Sequence, residues 1–74
     1  MHDSIQPDSI VWKSKDGEVI ACTEKLKVLR DNLREIQAIC QDAFEDALLM
    51  GCDEAQLRAV LRQVVDDLKN PYRT

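Results

Sequence analysis

The chain has 74 residues, ten basic and fourteen acidic side chains, and a formal net charge of −4. A chain this short makes one domain at most and buries only about 60% of its unfolded surface on folding. Such a core rarely supplies more than roughly 3–5 kcal/mol, so self-association or a protein partner is expected. The basic residues are scattered, which leaves no basic face for a nucleic acid or an anionic membrane surface.

The first eight residues are polar, carry Pro7 and read as a flexible lead-in. They lack the basic and apolar regions of a signal peptide, and no apolar run is long enough to span a bilayer. The expected location is cytoplasmic. An odd count of three cysteines agrees, since a secreted domain would be left with an unpaired thiol.

Residues 9–22 hold two β-favouring runs either side of Asp16-Gly17, the signature of a β-hairpin with a two-residue type I′ turn. That turn sets Lys15 against Glu18, Ser14 against Val19 and Trp12 against Ala21. It places Ile10, Trp12, Val19 and Ala21 on one face, expected to be the buried one. A hairpin alone is marginal in water, so it must lean on other elements. An irregular extended arm is the alternative.

Thr23 is a good N-cap, and no glycine or proline interrupts 24–50. Leu26, Leu29, Leu33, Ile36, Cys40, Ala43, Ala47 and Met50 repeat at 3-4-3-4-3-4-3, the spacing of a helix with a narrow apolar seam. The predicted helix covers 24–50 and is on the order of 40 Å long. Gly51 supplies its C-terminal stop. Asp53 and Gln56 form a capping-box pattern for a second helix over 53–70, with Leu57, Leu61, Val64 and Leu68 at 4-3-4 and Asn70-Pro71 as its end.

The two-residue Gly51-Cys52 connection turns the helices back as an antiparallel hairpin. The first helix outruns the second by about nine residues, roughly 13 Å. Leu26, Leu29 and Leu33 therefore need cover from the N-terminal segment or from a second subunit. Lys25, Lys27, Arg30 and Arg34 precede Asp42, Glu45 and Asp46 along the first helix, against the preference of the helix dipole. An antiparallel neighbour suits that order. The second helix offers Arg58 and Arg62 to Glu45 and Asp42, and Asp66 and Asp67 to Arg34 and Arg30. An antiparallel second copy of the first helix serves equally.

Val28, Ile39, Phe44, Leu48 and Leu49 lie off the seam and call for cover on a further side. The expected fold class is thus mainly α. An antiparallel two-helix hairpin, preceded by a short β-hairpin, forms a single domain over 9–74 and dimerises into a four-helix bundle. The β-hairpin alone capping a monomer is the alternative. Core and interface candidates are Trp12, Leu26, Leu29, Leu33, Ile36, Ile39, Phe44, Leu48 and Leu49. Trp12 is expected to anchor the hairpin on the helices.

Catalytic chemistry is not indicated. His2 is the only histidine and lies in the lead-in. The cysteines at 22, 40 and 52 have no zinc-ligand spacing, and no phosphate loop or nucleophile–base motif occurs. Cys40 reads as a seam residue. The acidic cluster Asp42, Glu45 and Asp46 lacks the Glu-x-x-His motifs of a di-iron bundle and reads as a solvated face. No cofactor or metal is expected. The leading functional expectation is a non-catalytic interaction module, a small acidic homodimer acting as adaptor or regulatory subunit for an unidentified protein partner. Two other classes stay open. One is an acidic mimic of nucleic acid, presenting Asp31, Glu35, Asp42, Glu45 and Asp46 to a basic DNA-binding protein. The other is a thiol-based redox or metal-responsive protein using Cys22 and Cys52, each just before a helix N-terminus.

Overall fold

A computed structural model describes residues 4–73; residues 1–3 of the expected lead-in, His2 among them, lie outside it. The chain is mainly helical, with two α-helices and no sheet among the described residues. Helix α1 runs Thr23–Leu49 and helix α2 runs Glu54–Asp66. A 3-10 turn at Pro7–Ser9 precedes them. Contacts divide the chain into two compact units, 1–40 and 41–74, so that α1 contributes to both.

In the first unit, the expected β-hairpin is not formed as strands. Residues 4–22 are an irregular N-terminal arm, with the 3-10 turn at Pro7–Ser9 and a single antiparallel bridge between Lys13 and Val19. The amide of Gly17 donates to the Ser14 carbonyl (2.9 Å), that of Ser14 to Glu18 (2.8 Å) and that of Ile20 to Trp12 (2.9 Å). This is a three-residue loop over 15–17 closed by a left-handed glycine, φ +86° at Gly17, the bulged alternative to the type I′ turn. A type I′ turn requires Asp16 at positive φ as well, and no described non-glycine residue adopts that region. The Ser14 hydroxyl reinforces the wider loop by accepting from the amides of Asp16 and Glu18.

The consequence is a one-residue slip in pairing, which exchanges the faces of the second run. Trp12 stands opposite Ile20, not Ala21. Ile10, Trp12 and Ile20 are half-buried, whereas Val19 and Ala21, expected inside, are exposed.

The arm covers the start of α1 in cis. The Ile5 carbonyl accepts from Gln37 Nε2 (2.8 Å), and the Asp8 carboxylate pairs with Arg34 and lies 3.9 Å from Arg30 Nε. Leu26, Leu29, Leu33 and Gln37 are half-buried in the same unit. Arg30 and Arg34 therefore meet Asp8 where the sequence pattern suggested Asp66 and Asp67.

In the second unit, the helix junction follows the local rules. Gly51 has φ +88°. Its amide donates to Leu48, and that of Cys52 reaches back to Ala47 (both 3.0 Å), the paired bonds of a Schellman stop. Asp53 then caps α2, its carboxylate accepting from the Gln56 amide at 2.8 Å. Half-buried Phe44 and Ala47 at the end of α1 share this unit with half-buried Leu57 and Leu61 of α2, consistent with a helical hairpin.

Helix α2 is shorter than expected, ending at Asp66 and not near Asn70. Two acids, Asp66 and Asp67, oppose the dipole at its C-terminal end. Pro71 disfavours helical backbone at Asn70. Asn70 instead opens a turn, its side chain accepting from the Tyr72 amide at 2.9 Å and its carbonyl from Arg73 at 3.4 Å.

The Gly51 and Asp53 devices are independently testable. Gly51→Ala puts a side chain into a left-handed residue and should cost about 1–2 kcal/mol. Asp53→Ala should cost about 1 kcal/mol through the lost cap. Urea unfolding followed by far-ultraviolet circular dichroism measures both.

Candidate functional site

The seam of α1 divides into covered and open positions. Leu26, Leu29, Leu33 and Ala47 are half-buried, while Ile36, Cys40, Ala43 and Met50 are exposed. Ile36 keeps 54% of its surface in solvent and Met50 77%. Off the seam, Val28, Ile39 and Leu49 are also exposed. On α2, Val60, Val64 and Leu68 continue the stripe that begins with Leu57 and Leu61, and all three are exposed. No described residue, polar or apolar, is buried.

Of the core and interface candidates, Trp12, Leu26, Leu29, Leu33 and Phe44 are half-buried. Ile36, Ile39, Leu48 and Leu49 stand in solvent. Leu29 lines a groove together with Ile20 of the arm, and Phe44 lies under Arg58 of α2. Two shielded groups escaped the sequence reading. Trp12 Nε1 and Arg30 Nε are both removed from water without a hydrogen-bond partner, a local cost of roughly 1–3 kcal/mol for each such group. Trp12 is carried by the bulged arm and Arg30 by α1.

A shallow groove of about 480 Å³ opens between the arm and the first turns of α1, lined by Ile20, Glu24, Lys25, Val28 and Leu29. Its floor is apolar and its charged residues belong to the helix start.

The charged groups pair locally. Lys27 and Asp31 make an i,i+4 bridge at 2.6 Å, and Arg34 reaches Asp31 at 3.2 Å. The Lys27 ammonium, above all, holds the Asp31 carboxyl below its usual range, with Arg34 adding to it. That contribution is present above the ordinary carboxylate range and fades as pH falls through the lowered value. Arg58 bonds to Glu54 at 3.0 Å, and its guanidinium lies 4.6 Å over the Phe44 ring, a cation–π contact. Among the described residues Arg58 makes no ion pair with Glu45, nor Arg62 with Asp42, the pairings expected from the sequence. Asp42, Glu45 and Asp46 are exposed and form no ion pair with a described residue.

Cys22, Cys40 and Cys52 are free thiols, all exposed. Cys40 is thus not a covered seam residue. Cys22 holds the N-cap place expected for Thr23, its carbonyl accepting from the Leu26 amide at 3.0 Å. The backbone amides of Lys25 and Glu24 donate toward its sulfur and draw the thiol below its ordinary value. Among the described residues no group of three or more His, Cys, Asp or Glu gathers as a metal site would.

Comparison with protein-family models, with curated proteins and with solved structures gives no match.

The capped thiol has a measurable signature. Iodoacetamide labelling of Cys22, followed by peptide mass spectrometry, should rise at lower pH in the native chain than in the same chain unfolded in urea. Coincident profiles would show that the helix amides do not reach the sulfur.

Proposed function

We propose that this protein is a non-catalytic interaction module that self-associates through its helices and presents the resulting surface to a protein partner. The observation that supports this reading is the open half of the α1 seam. Ile36, Cys40, Ala43 and Met50 occupy seam positions, yet all are exposed, as are Val60, Val64 and Leu68 on α2. Scattered apolar surface is ordinary, but apolar positions in register along helices are the usual mark of a partner face.

A second copy is the simplest partner. An antiparallel copy of α1 brings its basic first half, Lys25 to Arg34, beside the acidic second half, Asp42 to Asp46. A parallel copy sets like charges together. Each exposed pair adds little, so the charges select direction, and the apolar seam supplies affinity. Four helices from two chains then make the small bundle.

Sedimentation equilibrium of the full chain tests this. A dimer should form in the micromolar range, and Ile36→Asp should weaken it at least tenfold through loss of on the order of 1.5–3 kcal/mol of apolar burial. A strict monomer at several hundred micromolar would remove the reading.

The exposed, unpaired state of Asp42, Glu45 and Asp46 favours one further reading, an acidic surface that competes with nucleic acid for a basic protein. Asp31 does not contribute, because Lys27 and Arg34 neutralise it. Displacement of duplex DNA from a basic DNA-binding domain, lost when the three acids are changed to amides, is the measurement. No displacement at low salt removes the idea.

A further inference from the structure

The N-terminal arm does something more specific than shield leucines. It offers α1 the two things that a second helix would offer. Its half-buried Ile10, Trp12 and Ile20 share the first unit with the covered seam residues Leu26, Leu29 and Leu33. Its Asp8 carboxylate sits on Arg34 and near Arg30, in the basic half of the helix. In an antiparallel pairing of two α1 helices, the residues arriving over Leu26, Leu29 and Leu33 are Met50, Ala47 and Ala43 of the second copy, and the acids arriving with them are Asp42, Glu45 and Asp46. Asp8 thus stands in cis where the acidic half of a second chain would stand in trans.

The arm is also held in a way that permits release. Its ion pairs are exposed: Asp8 keeps 69% and Arg34 46% of their side-chain surface in solvent, so salt screens them readily. Its backbone is tied to α1 by the Gln37–Ile5 bond, also exposed. It has one bridge in place of a ladder. Closing it shields Trp12 Nε1 and Arg30 Nε without partners, and release returns both to water. Nothing in the arm is buried.

We propose that the arm is a built-in competitor of the second copy: closed, it occupies the Leu26–Leu33 end of the α1 seam and masks Arg30 and Arg34; released, it yields that end to the antiparallel α1 of another chain. This rests on the self-association reading above and adds its regulation. A ligand or partner that captures the arm would promote dimerisation without touching the helices. The expected size follows from mass action. Both arms of an antiparallel pair must open, so arms closed nine-tenths of the time raise the apparent dissociation constant about tenfold each, about a hundredfold together, and opening them removes that factor.

Trp12 is the only tryptophan, so its fluorescence reports the arm, while sedimentation reports assembly. Two full-length variants release the arm by unlike means: Asp8→Lys reverses the ion pair, and Ile10→Ser removes an apolar contact. Circular dichroism checks that the helices persist. Both variants should shift tryptophan emission to the red and dimerise up to about a hundredfold more tightly than the parent. A salt titration of the unmodified chain should produce the same red shift and guards against a variant that misfolds. A red shift with dimer affinity unchanged would overturn the competition and leave self-association standing. Emission unmoved in both variants and in salt would overturn the releasable arm. Parent and variants all monomeric at the highest concentration would remove self-association itself, and the competition with it.

Discussion

A 27-residue helix with an apolar stripe along its whole length is the constraint from which the rest follows. An isolated helix of that length is marginal in water, and its stability comes mostly from covering the stripe. The chain has 13 residues of second helix with which to do so. Different segments therefore meet different parts of α1. In one unit the irregular arm lies on Leu26 to Gln37. In the other, α2 accompanies Phe44 and Ala47. Ile36, Cys40 and Ala43 between them stay in solvent. Cover in each unit is partial, which is why the open positions carry the functional reading.

Helices were the legible part of this sequence. The 3-4 spacing, the unbroken run of helix formers and the Gly51 and Asp53 signals each act within a few residues, and local rules suffice for them. Where two local signals compete, the reading slipped. Asp16-Gly17 suits a type I′ turn and also a bulged three-residue loop. The choice rests on whether Asp16 takes positive φ, and the hydroxyl of Ser14 tips it by tying down two amides of the wider loop. One residue of register then moved Val19 out and Ile20 in. At α2, the apolar pattern continues to Leu68, but two aspartates and a proline end the helix first. Periodicity reports what a helix would bury, not whether its terminus is stable.

Charge placement shows the same division. The order of bases before acids along α1 suits an antiparallel helix. Within the chain Arg30 is met by Asp8 of the arm, Arg34 by Asp8 and by Asp31 of its own helix, and Arg58 by Glu54 and the face of Phe44. Long-range pairings inferred from charge order are weak because flexible basic side chains take whatever acid is nearest. The acidic half of α1 is left unsatisfied by that arrangement. The same helix therefore has one half neutralised in cis and one half still seeking a cation. Sites were harder to read than elements, since the half-covered seam depends on how far the arm reaches, and no residue pattern states that.

The absence of any buried residue has a thermodynamic corollary. Heat-capacity change and denaturant sensitivity both scale with the surface newly exposed on unfolding. A chain whose described residues all remain partly wet has little such surface to reveal. Its melt is therefore expected to be broader, and its stability curve flatter, than those of a chain with a buried core. In the self-association proposed above, cooperativity would belong to the assembly: the steepness of the melt would become a function of concentration, and folding and recognition a single equilibrium.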